Sequence, residues 1–368
     1  MTLPVVTMIL SLLAVLGAAE LFTNGVEWLG KRLNIARGAV GSVLAAVGTA
    51  LPETLVALVA VLVGTEGSKQ IGIGAILGAP FMLSTLAFGV TGVAVLGYRK
   101  RRGRGQLTID RDVMARDLGT FVVLYGLAIG SSFIPWREAR LLVVAVLLLS
   151  YAGYLVKTFR GPGKIEGDLN PLHLKVVFSR YFARRGKHET DHEFHHRRRQ
   201  RAHHPPALLP IVVQVAFALA IIVGGARLFV YGAEIVAVAL GVPPMIFAIV
   251  VAPIMTELPE KFNSVIWVRQ GKDTLAMGNI TGAMVFQSSL VPSVGIIFTP
   301  WHLLASNGHH QPALVSIAVA LFSGLVVLAL VLRPSRSGSH RTSLHPGVLL
   351  ALSALYLVWL FFAFFVHF

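Results

Sequence analysis

Apolar runs of about 20 residues, the length a helix needs to cross a bilayer, recur from one end of this chain to the other. Hydropathy places them at 4–29, 38–63, 71–96, 118–135, 140–156, 207–235, 241–267, 274–298, 311–332 and 346–367. In hydrocarbon every backbone polar group must be satisfied within the protein, so such runs become helices. The chain has 368 residues, of which 55% are hydrophobic and 13% charged. The expected fold class is therefore all-α, a polytopic membrane protein of about ten transmembrane helices. The first 22 residues resemble a signal peptide but have no basic start, and their apolar pattern continues to Trp28, so they read as the first span.

The few charges are unevenly placed. Assigning the loops alternately to two sides gathers Lys31, Arg32, Arg37, the run from Arg99 to Arg116, the loop 157–206, Arg269, Lys272, Arg333, Arg336 and Arg341 on one side. Lys69, Arg137 and Arg140 fall on the other. By the positive-inside rule the first side is cytoplasmic, both termini lie outside, and the expected location is the plasma (inner) membrane. A net charge of +15 would suit nucleic acid, but this distribution points to the bilayer as partner. With no cysteine, disulfides and thiolate metal sites are excluded. Trp28, Trp136 and Trp301 near span ends read as interfacial anchors.

The chain also repeats itself. "GAAELFTNGVEW" (17–28) matches "GGARLFVYGAEI" (224–235) and "GTALPE" (48–53) matches "MTELPE" (255–260), both 207 residues apart. "GAILGAPFMLS" (74–84) matches "GNITGAMVFQS" (278–288), 204 apart. Five spans per copy, an odd number, insert the second copy upside down. The expected organisation is a first membrane repeat, 1–156, a basic loop, 157–206, and a second repeat, 207–368. In inverted repeats the binding site forms near the midplane, where interrupted helices of the two copies meet.

Proline and glutamate are costly in a span, and here the cost is duplicated. Pro52 deprives the Gly48 carbonyl of its helical donor, and Pro259 does the same to Met255. Thr49 precedes Glu53 by four residues and Thr256 precedes Glu260 by four, so hydroxyl and carboxylate share a helical face. Carbonyl, hydroxyl and carboxylate make an all-oxygen set that suits a hard cation such as Ca²⁺. Glu53 and Glu260 are the expected metal ligands. Thr49, Thr256 and the carbonyls of Gly48 and Met255 are expected beside them, and Gln287 is a secondary polar ligand. Glu257 adds a third carboxylate. Crowded like charges favour keeping a proton on one of the three, unless Glu257 turns to a vestibule or a basic partner.

These paired segments resemble the two alpha-repeats of the sodium/calcium exchanger superfamily of cation/Ca²⁺ antiporters. Gly48, Thr49, Pro52 and Glu53 fit the first element of the family pattern, Thr256, Pro259 and Glu260 fit its second copy, and Gly278, Asn279 and Gly282 fit the later element. The resemblance implies a secondary antiporter that exchanges Ca²⁺ against H⁺ or Na⁺ by alternating access, without a cofactor and without enzymatic activity. It also implies which residues depart. Ala50, Glu257, Ala79 and Ala283 stand where the family has serine, and Leu83 and Gln287 where it has Asn or Asp. Several oxygens expected to hold Na⁺ are thereby lost, which leaves a transporter of another cation without Na⁺ coupling as the alternative. The absence of a Walker-type motif leaves an ion gradient as the drive.

A different chemistry is suggested by "HETDH" (188–192), which satisfies the H-E-x-x-H pattern of zinc metalloproteases. It sits in "RRGKHETDHEFHHRRRQRAHH", which has almost no apolar face to exclude water. Surface metal binding by His188, His192, His195 and His196 and a solvated basic loop against anionic lipid are the competing readings.

Overall fold

The computed structural model describes residues 2–32, 45–159, 172–173, 207–301, 303, 311–333 and 340–365. Among the described residues, ten long helices overlap the ten predicted apolar runs. They are α1 (Thr2–Arg32), α2 (Ala45–Val63), α3 (Glu66–Gly97), α4 (Arg111–Gly130), α5 (Arg137–Phe159), α6 (Leu208–Ala239), α7 (Pro244–Arg269), α8 (Asp273–Phe298), α9 (Gln311–Leu332) and α10 (Pro346–Phe365). Eight of these are long and apolar enough to cross a membrane. Leu3, Leu10, Val123, Leu149, Leu209 and Phe361 stand exposed, a surface that lipid tolerates and water does not.

Two expectations change. The interruptions predicted at Pro52 and Pro259 do not end their helices, since α2 and α7 are helical through both; one proline costs a helix one bond and can be carried by its neighbours. The break instead lies in α3, where a π-helical turn, Leu83–Ala87, follows Pro80. There the hydroxyls of Ser84 and Thr85 both donate to the Phe81 carbonyl. The second change is an addition to the all-α class, which holds: a two-stranded antiparallel ribbon. Strand β1 (Leu107–Asp110) pairs with β2 (Arg341–Leu344), with Leu107 opposite Leu344 and Asp110 opposite Arg341.

Contacts divide the chain into two compact units. One comprises Met1–Ile9, Glu53–Tyr154 and Arg227–Phe368, the other Leu10–Pro52 and Leu155–Ala226. The core of the first is the packing of α3 on α7. A Cβ added at Gly74 would lie 2.3 Å from the Met245 carbonyl oxygen, and one at Gly78 2.3 Å from that of Ile249. "GAILG" is thus a pair of glycines one turn apart that lets two backbones touch. On the far half of α3, Gly89 meets Ser353 of α10, and Phe81 stacks on Tyr356 with centroids 4.9 Å apart. In the second unit Gly25 meets Val215 and Gly225 meets Val15, so α1 and α6 pack closely there. Gln214 donates from Nε2 to the Leu21 carbonyl (2.8 Å) and to Asn24 Oδ1 (3.0 Å).

Two of the three tryptophans read as anchors are buried. Trp136 is 70% exposed, as an anchor should be. Trp28 is instead buried against Leu172 and Ile211. Trp301 is buried too, held at φ 46° while its Nε1 donates to the Ala128 carbonyl at 3.0 Å. A non-glycine residue pays for positive φ, and here the ring's burial over Gly295 offsets it.

Three loops assigned to one side by charge meet in the structure. Asp273, at the start of α8 with its side chain fully buried, accepts from Arg102 Nη2 at both of its carboxylate oxygens (2.6 Å each). It also accepts one from Arg104 (3.1 Å) and one from the Thr108 amide (2.8 Å). Arg111 donates to the Leu332 carbonyl at 2.8 Å. The α3–α4, α7–α8 and α9–α10 loops are therefore at one end, as the alternation requires. Contacts at the other end agree: Arg140 bonds the Pro300 carbonyl, and Thr65 donates to Glu234 at 3.2 Å. Asp273→Ala strands the buried Arg102 guanidinium without its counter-charge, at a cost of about 3 kcal/mol. We expect a lowered Tm for that variant in detergent; an unchanged Tm would show that the pair is dispensable.

Candidate functional site

The predicted cation site falls on α2 and α7. α2 carries Gly48, Thr49 and Glu53, and α7 carries Met255, Thr256, Glu257 and Glu260. The side chains of Thr49, Glu53, Met255 and Glu260 lie outside the described residues, so the described part of the site is Thr256, Glu257 and their neighbours. Among the described residues no three acidic or histidine side chains converge in a metal-binding group.

Thr256 is buried and donates its hydroxyl to the Ala252 carbonyl one turn back, at 3.0 Å. That bond uses its proton and leaves its oxygen lone pairs as acceptors. Glu257 is 2% exposed and Gln287, on α8, 1%. Gln287 Nε2 donates to Glu257 Oε1 at 2.9 Å, so the structure joins two residues that the sequence selected separately. The other oxygen, Glu257 Oε2, lies 3.1 Å from Nζ of Lys261, which is itself 1% exposed. Of the two alternatives left for Glu257, the basic partner is the one realised.

Lys261 was missed, although a Glu–Lys pair four residues apart on one helix is a readable signal. The cluster is close but incompletely bonded. Lys261 Nζ and Glu257 Oε2 are within ion-pair reach but off the hydrogen-bond direction, and both, with Gln287 Oε1, are buried atoms without a hydrogen-bond partner. Buried polar atoms in that condition are costly unless something further satisfies them.

A second buried carboxylate was also missed. Asp117 of α4, 2% exposed, accepts from Thr281 Oγ1 (2.9 Å) and Tyr154 OH (3.1 Å) and pairs with Arg116 (2.9 Å). Thr281 lies inside "GNITG" (278–282), the later element of the second repeat. Asp117 therefore fixes that element to α4 and α5. Asn279 of the same element donates to Ser264 Oγ (3.3 Å), which donates to the Ala276 carbonyl (3.1 Å), tying α8 to α7.

With a paired acidic motif carried on two counterpart helices, the comparisons with known proteins decide the family. The sodium/calcium exchanger protein family model matches residues 3–160 and 210–365. The chain belongs to the sodium/calcium exchanger family. It is 25% identical over 325 residues to CaxA of Alkalimonas amylolytica, covering 87% of this chain and 89% of that protein. Its fold is similar to that of the H⁺/Ca²⁺ exchanger CAX, with a TM-score of 0.62 at 17% identity over 98% of this chain and 88% of that one. It is similar also to the sodium-calcium exchanger NCX_Mj, with a TM-score of 0.54 at 19% identity over 98% of each chain.

Membership makes this exchanger a membrane transporter of cations and not an enzyme. The peptidase reading of "HETDH" is thereby set aside; the motif itself lies outside the described residues.

Proposed function

We propose that this exchanger moves Ca²⁺ against H⁺ by alternating access. Glu53 and Glu260 are its central ligands, and Thr49, Thr256 and the carbonyls of Gly48 and Met255 complete an oxygen shell. The observation that carries the reading is the duplicated T-x-x-P-E motif on α2 and α7, inside a family match that spans both halves. Two carboxylates neutralise a divalent ion, and hard oxygen donors suit Ca²⁺. CAX and NCX_Mj are both calcium exchangers by name, which supports the cargo. H⁺ is favoured over Na⁺ as the coupling ion because Ala50, Ala79, Leu83 and Ala283 offer no side-chain oxygen. Sodium needs several converging neutral donors, whereas a proton needs only a carboxylate.

In this reading the halves 1–156 and 207–368 are inverted repeats joined by the loop 157–206. The plasma membrane is the location, with the loop cytoplasmic, against anionic lipid, and both termini outside. The test is Ca²⁺ uptake into proteoliposomes under an imposed pH gradient or a Na⁺ gradient of equal size. The pH gradient is expected to drive uptake several-fold more strongly. Uptake driven by Na⁺ alone would reassign the coupling ion, and no uptake under either gradient would remove Ca²⁺ as cargo.

A further inference from the structure

We infer that the Lys261 ammonium is a tethered cation, held by Glu257, the carboxylate that Gln287 also bonds, in the place a transported monovalent coupling cation would otherwise take. The inference rests on the cation-site reading of Glu260 and adds an ion that never leaves. Glu257 and Gln287 together present a carboxylate and an amide within one hydrogen bond of each other, both side chains buried. Two oxygens of that set, Glu257 Oε2 and Gln287 Oε1, carry no hydrogen bond. Buried carboxylate and amide oxygens left unsatisfied in this way are what a cation would be offered. Here a positive charge already stands 3.1 Å from one of them, and it is covalently part of α7.

The sequence changes fit this substitution. Lys261 follows Glu260 directly, while its counterpart 207 residues earlier is the neutral Thr54; likewise Glu257 has as its counterpart the neutral Ala50. The second repeat has thus gained a negative and a positive side chain together, with no net change in charge. Across the same motifs side-chain oxygens are absent at Ala50, Ala79, Leu83 and Ala283. A chain that merely lost Na⁺ ligands would have no reason to bury a Lys–Glu pair, since replacing such a pair by apolar residues is often neutral or stabilising. A tethered ammonium supplies the reason. It balances Glu257 in every state of the cycle, so Glu257 takes up no mobile ion and Glu53 and Glu260 alone exchange theirs.

The experiment compares wild type, K261R, K261M, E257Q and E257Q/K261M in proteoliposomes, with E260Q alongside. Wild type and K261R should take up Ca²⁺ under a pH gradient with little response to Na⁺. K261M opens the Glu257 and Gln287 oxygens to solution ions, so its Ca²⁺ flux should acquire a several-fold response to a Na⁺ gradient; E257Q/K261M, lacking the carboxylate as well, should lose that response again. E257Q leaves an uncompensated buried ammonium on the helix that carries Glu260 and should raise half-saturating Ca²⁺ by roughly tenfold or more, an effect largely reversed in E257Q/K261M. An active K261M as indifferent to Na⁺ as wild type overturns the inference, and so does a wild type driven by Na⁺. If K261M does not fold, E257Q decides: an unchanged half-saturation overturns the inference. Normal transport by E260Q would instead bring down the cation-site reading, whatever the Lys261 variants do.

Discussion

Glu53→Gln and Glu260→Gln should each abolish Ca²⁺ exchange in proteoliposomes while leaving a folded protein of normal size-exclusion profile. Each change keeps the side chain's shape and one carbonyl oxygen and removes a unit of charge. In a site that holds a divalent ion by two carboxylates, losing one leaves an uncompensated charge when the ion binds. Uncompensated buried charge costs about 3–5 kcal/mol, which corresponds to two orders of magnitude or more in affinity. Exchange should therefore be lost at Ca²⁺ levels that saturate the wild type, and any recovery should need external Ca²⁺ raised by about a hundredfold or more. Two active variants would move the site away from the T-x-x-P-E motifs. One active and one dead variant would mean that the two repeats no longer share the ion equally.

The second large effect concerns assembly. Gly74→Val with Gly78→Val should prevent α3 and α7 from packing, because the atoms each new Cβ would meet at 2.3 Å are the backbone oxygens of Met245 and Ile249. A flexible side chain could swing aside, but a helix carbonyl moves only with its helix. Overpacking costs about 1–3 kcal/mol per added group in cores that can adjust, and two valines against a rigid backbone should reach or pass the upper end at both sites. The expected result is aggregated or monomerically unstable protein in detergent, with Gly126→Ala as the comparison, since no described atom lies within 4 Å of a Cβ there. A double valine variant that folds and transports would show that the α3–α7 contact is not the core of its unit.

The sequence and structure agree where a pattern is long and disagree where it is short or mixed. Runs of about 20 apolar residues fix α9 at Gln311–Leu332 and α8 at Asp273–Phe298 almost to the residue, because length and hydropathy are properties of the whole segment. α4 begins at Arg111, seven residues before the predicted start at 118. Arg116 and Asp117 lower the local hydropathy, so the apolar run starts only after Asp117; of the partners of that carboxylate, Tyr154 comes from the next helix and Thr281 from one 164 residues on. The ribbon escaped for a similar reason. "LTID" and "RTSL" are four-residue stretches with no resolvable period, and each is a strand only because the other lies opposite. At the site, Glu257 and Gln287 were both legible as polar residues in apolar helices, but not their bond. Lys261 stands directly after the Pro-Glu pair in sequence, but its partner is Glu257, one helical turn back.

The junction around Asp273 bears on how such a protein can move. One carboxylate takes bonds from two arginines and a strand amide, and the strand it holds is zipped to the α9–α10 loop. At that end α3, α4, α8, α9 and α10 are therefore fastened to one another like staves under a hoop. A slide of α8 past α4 by one helical turn, 5.4 Å, would tear all the bonds that Asp273 accepts at once. Motion within this unit is left to places without such a fastening. The π-helical turn after Pro80 is one, where a helix already departs from its regular ladder and can bend without first breaking it.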